Sequence, residues 1–162
     1  MAYIELVDGK YKGNRSVRDL IKYIMNPKKC PHQIWHPYAT SDEDIDFTAE
    51  KFISVAEVYR KTSGKRMHHI FISFAPNEKF EYRQYLHIGY KLADYFGKEF
   101  QVVFALHEYD NNGKRVHPHI HMGINAINYN TGKRMDFNKA KLKAFRCYVS
   151  SIISWEQNRA SN

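Results

Sequence analysis

The sequence has few cysteines and no long apolar run, and these absences exclude several classes of protein. Two cysteines among 162 residues, Cys30 and Cys147, give neither a disulfide framework nor a paired-cysteine zinc motif. No apolar run approaches the length that crosses a bilayer, and charged residues interrupt the first fourteen positions, which leaves no apolar core for a signal peptide. The chain is therefore expected in a reducing compartment, the cytoplasm.

The chain also lacks repeats, low-complexity segments and Pro- or Gly-rich linkers, so residues 1–162 are expected to form a single domain. What it has in excess is positive charge, because 25 Lys and Arg face 17 Asp and Glu, for a net charge of +8. Such a surplus draws a protein toward polyanions, nucleic acid first. The aromatic content of 15% also suits stacking on unpaired bases. An ordinary basic domain fits the charge equally well.

Hydrophobic spacing and turn residues outline the elements. They predict strands at 3–7, 67–74, 101–107 and 117–128, and helices at 16–24 with Ser16 as cap, 47–60, 82–96 and 139–155. Residues 30–41 contain two prolines and are predicted to form an irregular loop. The mixed order predicts an α+β fold, an antiparallel sheet with helices mainly on one face.

One segment near residue 120 carries the strongest chemical signal. Alternate side chains of a strand point to opposite faces, so His119, His121 and Asn125 share one face and the apolar residues between them form the other. The preceding strand ends at His107, which brings a third imidazole to the same hairpin. Three histidines that leave one coordination position open are typical of a catalytic site for a divalent ion.

Register decides whether these histidines meet. With a plain two-residue turn at 112–113, His107 would pair with Pro118 and point away from His119 and His121. The three converge only if the loop has an odd number of residues or the hairpin carries a one-residue bulge. Pro118 has no N–H and is tolerated mainly at edges and bulges, so it favours an irregular hairpin.

Residues 107–110 (His-Glu-Tyr-Asp) followed by residues 119–125 (His-Ile-His-Met-Gly-Ile-Asn) resemble the third motif of the HUH relaxases. The resemblance implies that His107, His119 and His121 hold a metal ion. It also implies an acidic site residue, Glu108 or Asp110, of which Asp110 is preferred. His117 creates an overlapping His-x-His pair with His119, but the apolar residues after 119 and 121 match the motif better. The family's downstream asparagine falls on Asn125, which we expect to contact DNA.

A second motif supplies a candidate nucleophile. Residues 18–25 (Arg-Asp-Leu-Ile-Lys-Tyr-Ile-Met) resemble the first motif of MobP-type relaxases, where a helix tyrosine attacks the scissile phosphate. This places the nucleophile at Tyr23; the alternative is a tyrosine that only packs beside Leu20. Residues 67–74 resemble the middle motif, and His69 and Ser73 share one face of that strand. There they could touch metal, phosphate or nothing, and we expect them to fill space.

The resemblance implies an enzyme that nicks single-stranded DNA at a plasmid or conjugative origin of transfer and keeps the strand as a 5′-phosphotyrosine. Asp110 would orient a metal-bound histidine or accept the tyrosine proton. Magnesium or manganese is the ion that the family implies, whereas imidazole ligands by themselves favour zinc, nickel or cobalt. Accessory relaxosome proteins are implied partners. Basic side chains near Tyr23 are expected to meet the DNA backbone, and these are Arg15, Arg18, Lys22, Lys28 and Lys29.

Two other functions fit parts of the pattern. In a rolling-circle replication initiator the tyrosine follows the histidines, and Tyr148 lies on a predicted helix at such a position. In a non-catalytic nucleic-acid-binding module the histidines would hold a structural zinc.

Overall fold

The computed structural model describes residues 1–7, 9–30, 35–38 and 44–160. The elements in chain order are β1 (Tyr3–Val7), α1 (Gly13–Ile24), β2 (Trp35–Tyr38), α2 (Ile45–Val58), β3 (Met67–Ser73), α3 (Tyr82–Gly97), β4 (Val102–Tyr109), β5 (Arg115–Asn125) and α4 (Lys139–Ala160). The strands form one antiparallel sheet in the order β1-β3-β5-β4-β2, which places β5 at its centre. None of the described helices is long and apolar enough to cross a membrane.

The sheet is covered by helices on both faces. Ile120 and Met122 of β5 belong to an apolar cluster with α3 and α4, whereas Val103 and Ala105 of β4 belong to a second cluster with α1 and α2. The predicted α+β class with an antiparallel sheet is confirmed. The expected placement of helices mainly on one face is wrong, because α1 carries its own apolar stripe and buries it against the opposite face.

One strand of the sheet was not expected from the sequence. Residues 30–41 were predicted to form a loop, but Trp35–Tyr38 pairs with β4 in antiparallel register at the edge of the sheet. Pro37 is compatible with this place because an edge strand need not donate every backbone N–H. The rest of the predicted loop, residues 31–34 and 39–41, lies outside the described residues.

Helix boundaries also differ from the prediction, and one of them affects the site. Helix α1 begins at Gly13 rather than after Ser16, whose hydroxyl donates instead to the carbonyls of Lys12 and Gly13 at 2.8 and 2.9 Å. Asp44 caps α2 by accepting from two backbone N–H groups of its first turn. Because α1 ends at Ile24, Tyr23 lies in its last turn, beside the sheet.

Candidate active site

The β4–β5 hairpin brings the predicted histidines together. His107 lies directly opposite His119, and Tyr109 pairs with Arg115, so five residues, 110–114, remain in the loop. The register also shifts between His107 and Tyr109. This odd loop with an irregular stem is the arrangement that the parity argument required, and the predicted convergence is therefore present in the fold.

The three imidazoles meet at one point, where one ring nitrogen from each of His107, His119 and His121 lies within 4.8 Å of the others. The remaining nitrogens of two rings are held by backbone carbonyls. His107 Nε2 donates to the carbonyl of Ile24 at 2.8 Å, and His119 Nδ1 donates to the carbonyl of His117 at 2.8 Å. A carbonyl can only accept, so each tautomer is fixed, and His107 Nδ1 and His119 Nε2 keep their lone pairs for a ligand.

The overlapping His117 takes no part in this cluster. Its Nε2 lies 2.7 Å from the carbonyl oxygen of Phe74 at the end of β3. The preference for His119 and His121 over His117 therefore agrees with the geometry.

A fourth histidine touches the cluster. His69 on β3 was expected to fill space, but its Nε2 lies 2.8 Å from His121 Nδ1 and its Nδ1 lies 2.9 Å from the hydroxyl of Tyr11. Residues 69 and 121 are 52 positions apart, so no local spacing indicates the contact. The only sequence signal was strand alternation, which places His69 on the face opposite His68.

Burial keeps these rings neutral. It lowers the pKa of His107 and that of His69 to about 4 each. It also lowers the pKa values of His119 and His121. In His107 and His121, repulsion from the neighbouring imidazoles lowers the pKa further. A neutral imidazole is the form that binds a metal. The donor set, three neutral imidazoles with converging lone pairs, fits a divalent cation.

Tyr23 stands over this cluster. Its hydroxyl oxygen lies 3.3 Å from His121 Nε2, and its ring packs edge-on against His107 and His121. Burial raises the pKa of the phenol. Lys29, only 5% exposed, places its ammonium 4.0 Å from the centre of the Tyr23 ring, so the cation sits at the site rather than on an open surface.

A glycine in β5 sets how closely α1 approaches. A Cβ at Gly123 would lie 2.8 Å from Ile24 Cδ1 and 3.1 Å from Val103 Cγ1. A side chain there would require the end of the Ile24 side chain to shift. Gly123 thus gives Ile24, the residue after Tyr23, room to pack closely on the sheet, a feature that sequence reasoning missed.

Asp110, the preferred acidic candidate, does not orient a cluster histidine. Asp110 Oδ1 accepts from the backbone N–H groups of Asn112 and Lys114 at 2.8 and 2.9 Å and so shapes the hairpin turn. Glu108 lies 3.8 Å from Arg115. The expectation that Asp110 orients a metal-bound histidine is therefore corrected, because carbonyls and His69 occupy the outer nitrogens of the three rings. Proton transfer by Asp110 stays a prediction.

Asn125 is not placed to contact DNA, contrary to the expectation. Its side chain is 1% exposed and donates to the carbonyl of Phe52 at 2.9 Å and to Gln101 Oε1 at 2.8 Å. The alternation argument put Asn125 on the correct face, but α2 covers that end of β5.

The basic residues of α1 have acidic neighbours. Ion pairs join Arg15 to Asp19 (3.7 Å), Arg18 to Glu50 (2.7 Å) and Lys22 to Asp46 (2.9 Å). These exposed pairs are weak and do not prevent contact with phosphate, so the contacts of Arg15, Arg18 and Lys22 with DNA stay predictions. The same holds for Lys28 and Lys29.

Tyr148 lies away from the cluster. It packs with α3 and α4 on the opposite face of the sheet, and its hydroxyl donates to the carbonyl of Lys91 at 3.1 Å. The layout of a rolling-circle initiator, with Tyr148 at the histidines, is therefore not the one this fold adopts.

Residues 23–153 match the family described as relaxase, MobA/VirD2-like, nuclease domain. The chain belongs to this family. Its resemblance to the HUH relaxases is thereby confirmed. Over 103 residues this relaxase domain is 36% identical to a Protein rlx of Staphylococcus aureus, covering 64% of this chain and 29% of that protein. A second Protein rlx of the same species is 29% identical over 96 residues, with 59% and 28% covered. The chain thus spans under a third of the length of these relatives.

Two solved structures share the fold. One, described as "Molecular Basis of Vancomycin Resistance Transfer in Staphylococcus aureus", superposes with a TM-score of 0.63 at 12% identity and covers 99% of this chain and 94% of that one. The other, "MobM Relaxase Domain (MOBV; Mob_Pre) bound to 26nt pMV158 oriT DNA", has a TM-score of 0.59 at 14% identity, covering 95% and 84%.

Proposed function

We propose that this relaxase domain nicks single-stranded DNA by transferring one strand to Tyr23, with a divalent cation held by His107, His119 and His121. The observation that carries the proposal is the position of the Tyr23 hydroxyl, 3.3 Å from Nε2 of a histidine in the cluster. A hydroxyl this close to the proposed ligands reaches a phosphate bound beside them without movement of α1.

The reaction exchanges one phosphodiester for another. The Tyr23 oxygen bonds to phosphorus, the bond from phosphorus to the 3′ oxygen breaks, and the phenolic proton leaves while the 3′ oxygen gains one. The products are a 5′-phosphotyrosine and a free 3′ hydroxyl, and the retained ester allows the strand to be rejoined later.

The protein's own groups prepare this step. The burial that raises the phenol pKa works against ionisation of Tyr23, so a nearby positive charge is needed to favour the phenolate. Lys29 supplies one such charge over the ring. Burial lowers the pKa of its ammonium, and the negative charge of Asp110 works against that lowering. A bound divalent ion would polarise the scissile phosphate and offset its developing charge.

An open groove leads to the hydroxyl, lined by Val7, Lys10, Tyr11, Ser16 and Leu20 among others. Its aromatic and aliphatic walls suit an unpaired base, and Lys10 suits the backbone. Single-stranded DNA from an origin of transfer is the proposed substrate, since the structurally similar MobM domain is bound to oriT DNA. Mobilisation in the cytoplasm with accessory relaxosome proteins is the proposed role of the protein.

The experiment incubates the domain with single-stranded oligonucleotides and manganese and resolves covalent adducts on a denaturing gel. Tyr23→Phe should abolish the adduct, because the ring and its packing stay while the nucleophilic oxygen is lost. Tyr148→Phe is the matched control and should leave the adduct unchanged. An undiminished adduct from Tyr23→Phe would refute the proposed nucleophile.

A further inference from the structure

We propose that His69 and Tyr11 are positioning groups of the metal centre, which orient the His121 imidazole and accept its Nδ1 proton when Nε2 binds a cation. The inference rests on the metal centre proposed above. It concerns residues for which the sequence motifs give no role.

A hydrogen-bonded chain connects four side chains from four parts of the fold. Tyr11, just before α1, meets His69 Nδ1 at 2.9 Å; His69 Nε2 meets His121 Nδ1 at 2.8 Å; and His121 Nε2 lies 3.3 Å from the hydroxyl of Tyr23. His69 and His121 are 4% and 5% exposed. Tyr11 is itself held, because its carbonyl accepts from the backbone N–H of Arg66 at 2.7 Å.

Counting protons along this chain gives two possible orders. In the first, His121 Nδ1–H donates to His69 Nε2, and His69 Nδ1–H donates to the Tyr11 oxygen, which leaves His121 Nε2 with its lone pair. In the second, Tyr11 O–H donates to His69 Nδ1, and His69 Nε2–H donates to His121 Nδ1, which puts the proton of His121 on Nε2. Only the first order can bind a cation through His121 Nε2.

This makes His69 different from the groups that hold the other two rings. The carbonyls of Ile24 and His117 can only accept, so they fix His107 and His119 in one tautomer. His69 can accept or donate, and so can the hydroxyl of Tyr11. The chain therefore allows either proton order, and a cation on His121 Nε2 selects the first. Outer groups of this kind keep a ligand basic and oriented, and their loss lowers metal affinity.

Packing alone does not account for the hydrogen-bonded pair of His69 and His121. Met67 and Phe71, which flank His69 on the same face of β3, belong to apolar or aromatic contacts. An apolar residue at 69 would fill the same space without burying two ring nitrogens. His68, equally buried on the other face of β3 beside Phe137, makes no contact of this type with the cluster.

The test measures cation binding without DNA. Isothermal titration calorimetry of the whole domain with Mn²⁺ and with Co²⁺, and the visible absorption of bound Co²⁺, report affinity and ligand geometry independently of nicking. His69→Leu should weaken binding about 10- to 100-fold and alter the Co²⁺ spectrum. His69→Gln should recover most of the affinity, because its amide oxygen can accept from His121 Nδ1–H.

Two more variants complete the design. Tyr11→Phe removes only the hydroxyl and should weaken binding about 3- to 10-fold, the range for one hydrogen bond. It keeps the test valid if His69→Leu does not fold. His68→Leu is the matched control and should bind like wild type.

Wild-type affinity and spectrum in folded His69→Leu and Tyr11→Phe would overturn the positioning role while leaving the metal centre intact. Equal weakening in His68→Leu would also overturn it, since the effect would then come from the strand rather than from the hydrogen-bonded chain. A wild type that binds neither ion would contradict the metal centre itself, and the positioning role with it.

Discussion

The two faces of β5 carry different kinds of side chain over the same few residues. Ile120, Met122 and Ile124 are fully buried in the apolar cluster with α3 and α4. His119 and His121, the residues that alternate with them, face α1 and form part of the histidine cluster. One strand thus contributes to two environments, and the direction of each side chain decides which of the two it enters.

The comparison shows how a buried polar cluster is tolerated. Each large apolar side chain on the first face contributes about 1.5 to 3 kcal/mol through burial. The imidazoles of the second face contribute little of this kind, because desolvation of a polar ring costs free energy that its hydrogen bonds only offset. Within β5 the α3/α4 face therefore contributes most to stability, and the face toward α1 carries the polar groups beside the second apolar cluster.

Substitutions at two neighbouring residues of β5 have the largest expected effects and test the difference between the two faces. His121→Ala should reduce nicking by more than about 100-fold, because the loss of a proposed metal ligand should cost more than the loss of a residue that only supports a ligand. It should lower the free energy of unfolding by about 1 to 3 kcal/mol, because the buried His69 Nε2 loses its partner. Met122→Ala should lower the free energy of unfolding by about 2 to 5 kcal/mol through the cavity it leaves. The folded fraction of Met122→Ala should nick normally. Oligonucleotide cleavage and urea denaturation measure the two effects.

Chelation of the wild type gives the same comparison without mutation. Removal of divalent ions should abolish nicking yet leave the circular dichroism spectrum in place, as in His121→Ala. If chelation instead unfolds the domain, the cation is structural and the division between the two faces is wrong.

Sequence reasoning predicted this division because alternation is a local property. The faces of residues 119–125 follow from a period of two, and the convergence of His107 with His119 and His121 required either an odd loop or a bulge. Edge strand β2 was missed because four residues that include a proline carry no clear strand pattern.

The contacts around the cluster could not be predicted in the same way. His69, Lys29 and the carbonyl of Ile24 reach the site from distant parts of the chain, and their positions depend on how α1 and β3 pack. Asn125 was assigned to DNA because its face was correct, while the cover provided by α2 is a tertiary feature. Local periodicity gives the direction of a side chain but not what lies above it.

His68, on the apolar face of the sheet, extends the comparison of the two faces to the pH dependence of stability. Burial lowers the pKa of His68 from 6.5 to about 4, so the unfolded chain takes up a proton before the folded one does. The free energy of unfolding should therefore fall as pH drops from about 6.5 to about 4, with each unit of pKa difference worth about 1.4 kcal/mol. His68→Leu should flatten part of this slope in denaturation curves recorded across that range. A slope equal to that of wild type would contradict the burial of a neutral His68.

Asn125→Ala has the smallest expected effect and tests whether Asn125 supports the fold or contacts DNA. Asn125→Ala should lower the free energy of unfolding by about 1 to 3 kcal/mol, because the carbonyl of Phe52 and Gln101 Oε1 lose their donor. Affinity for single-stranded DNA, measured by fluorescence anisotropy, should not change. A clear loss of affinity in the folded variant would return Asn125 to the DNA interface.

The most direct test of the central claim is to locate the covalent bond. The adduct formed with a short oligonucleotide is digested with nuclease and trypsin, and the modified peptide is sequenced by mass spectrometry. The account predicts a nucleotide 5′-phosphate on Tyr23, in the peptide that follows Lys22. A nucleotide on Tyr148, on Tyr11 or on any other residue would contradict it.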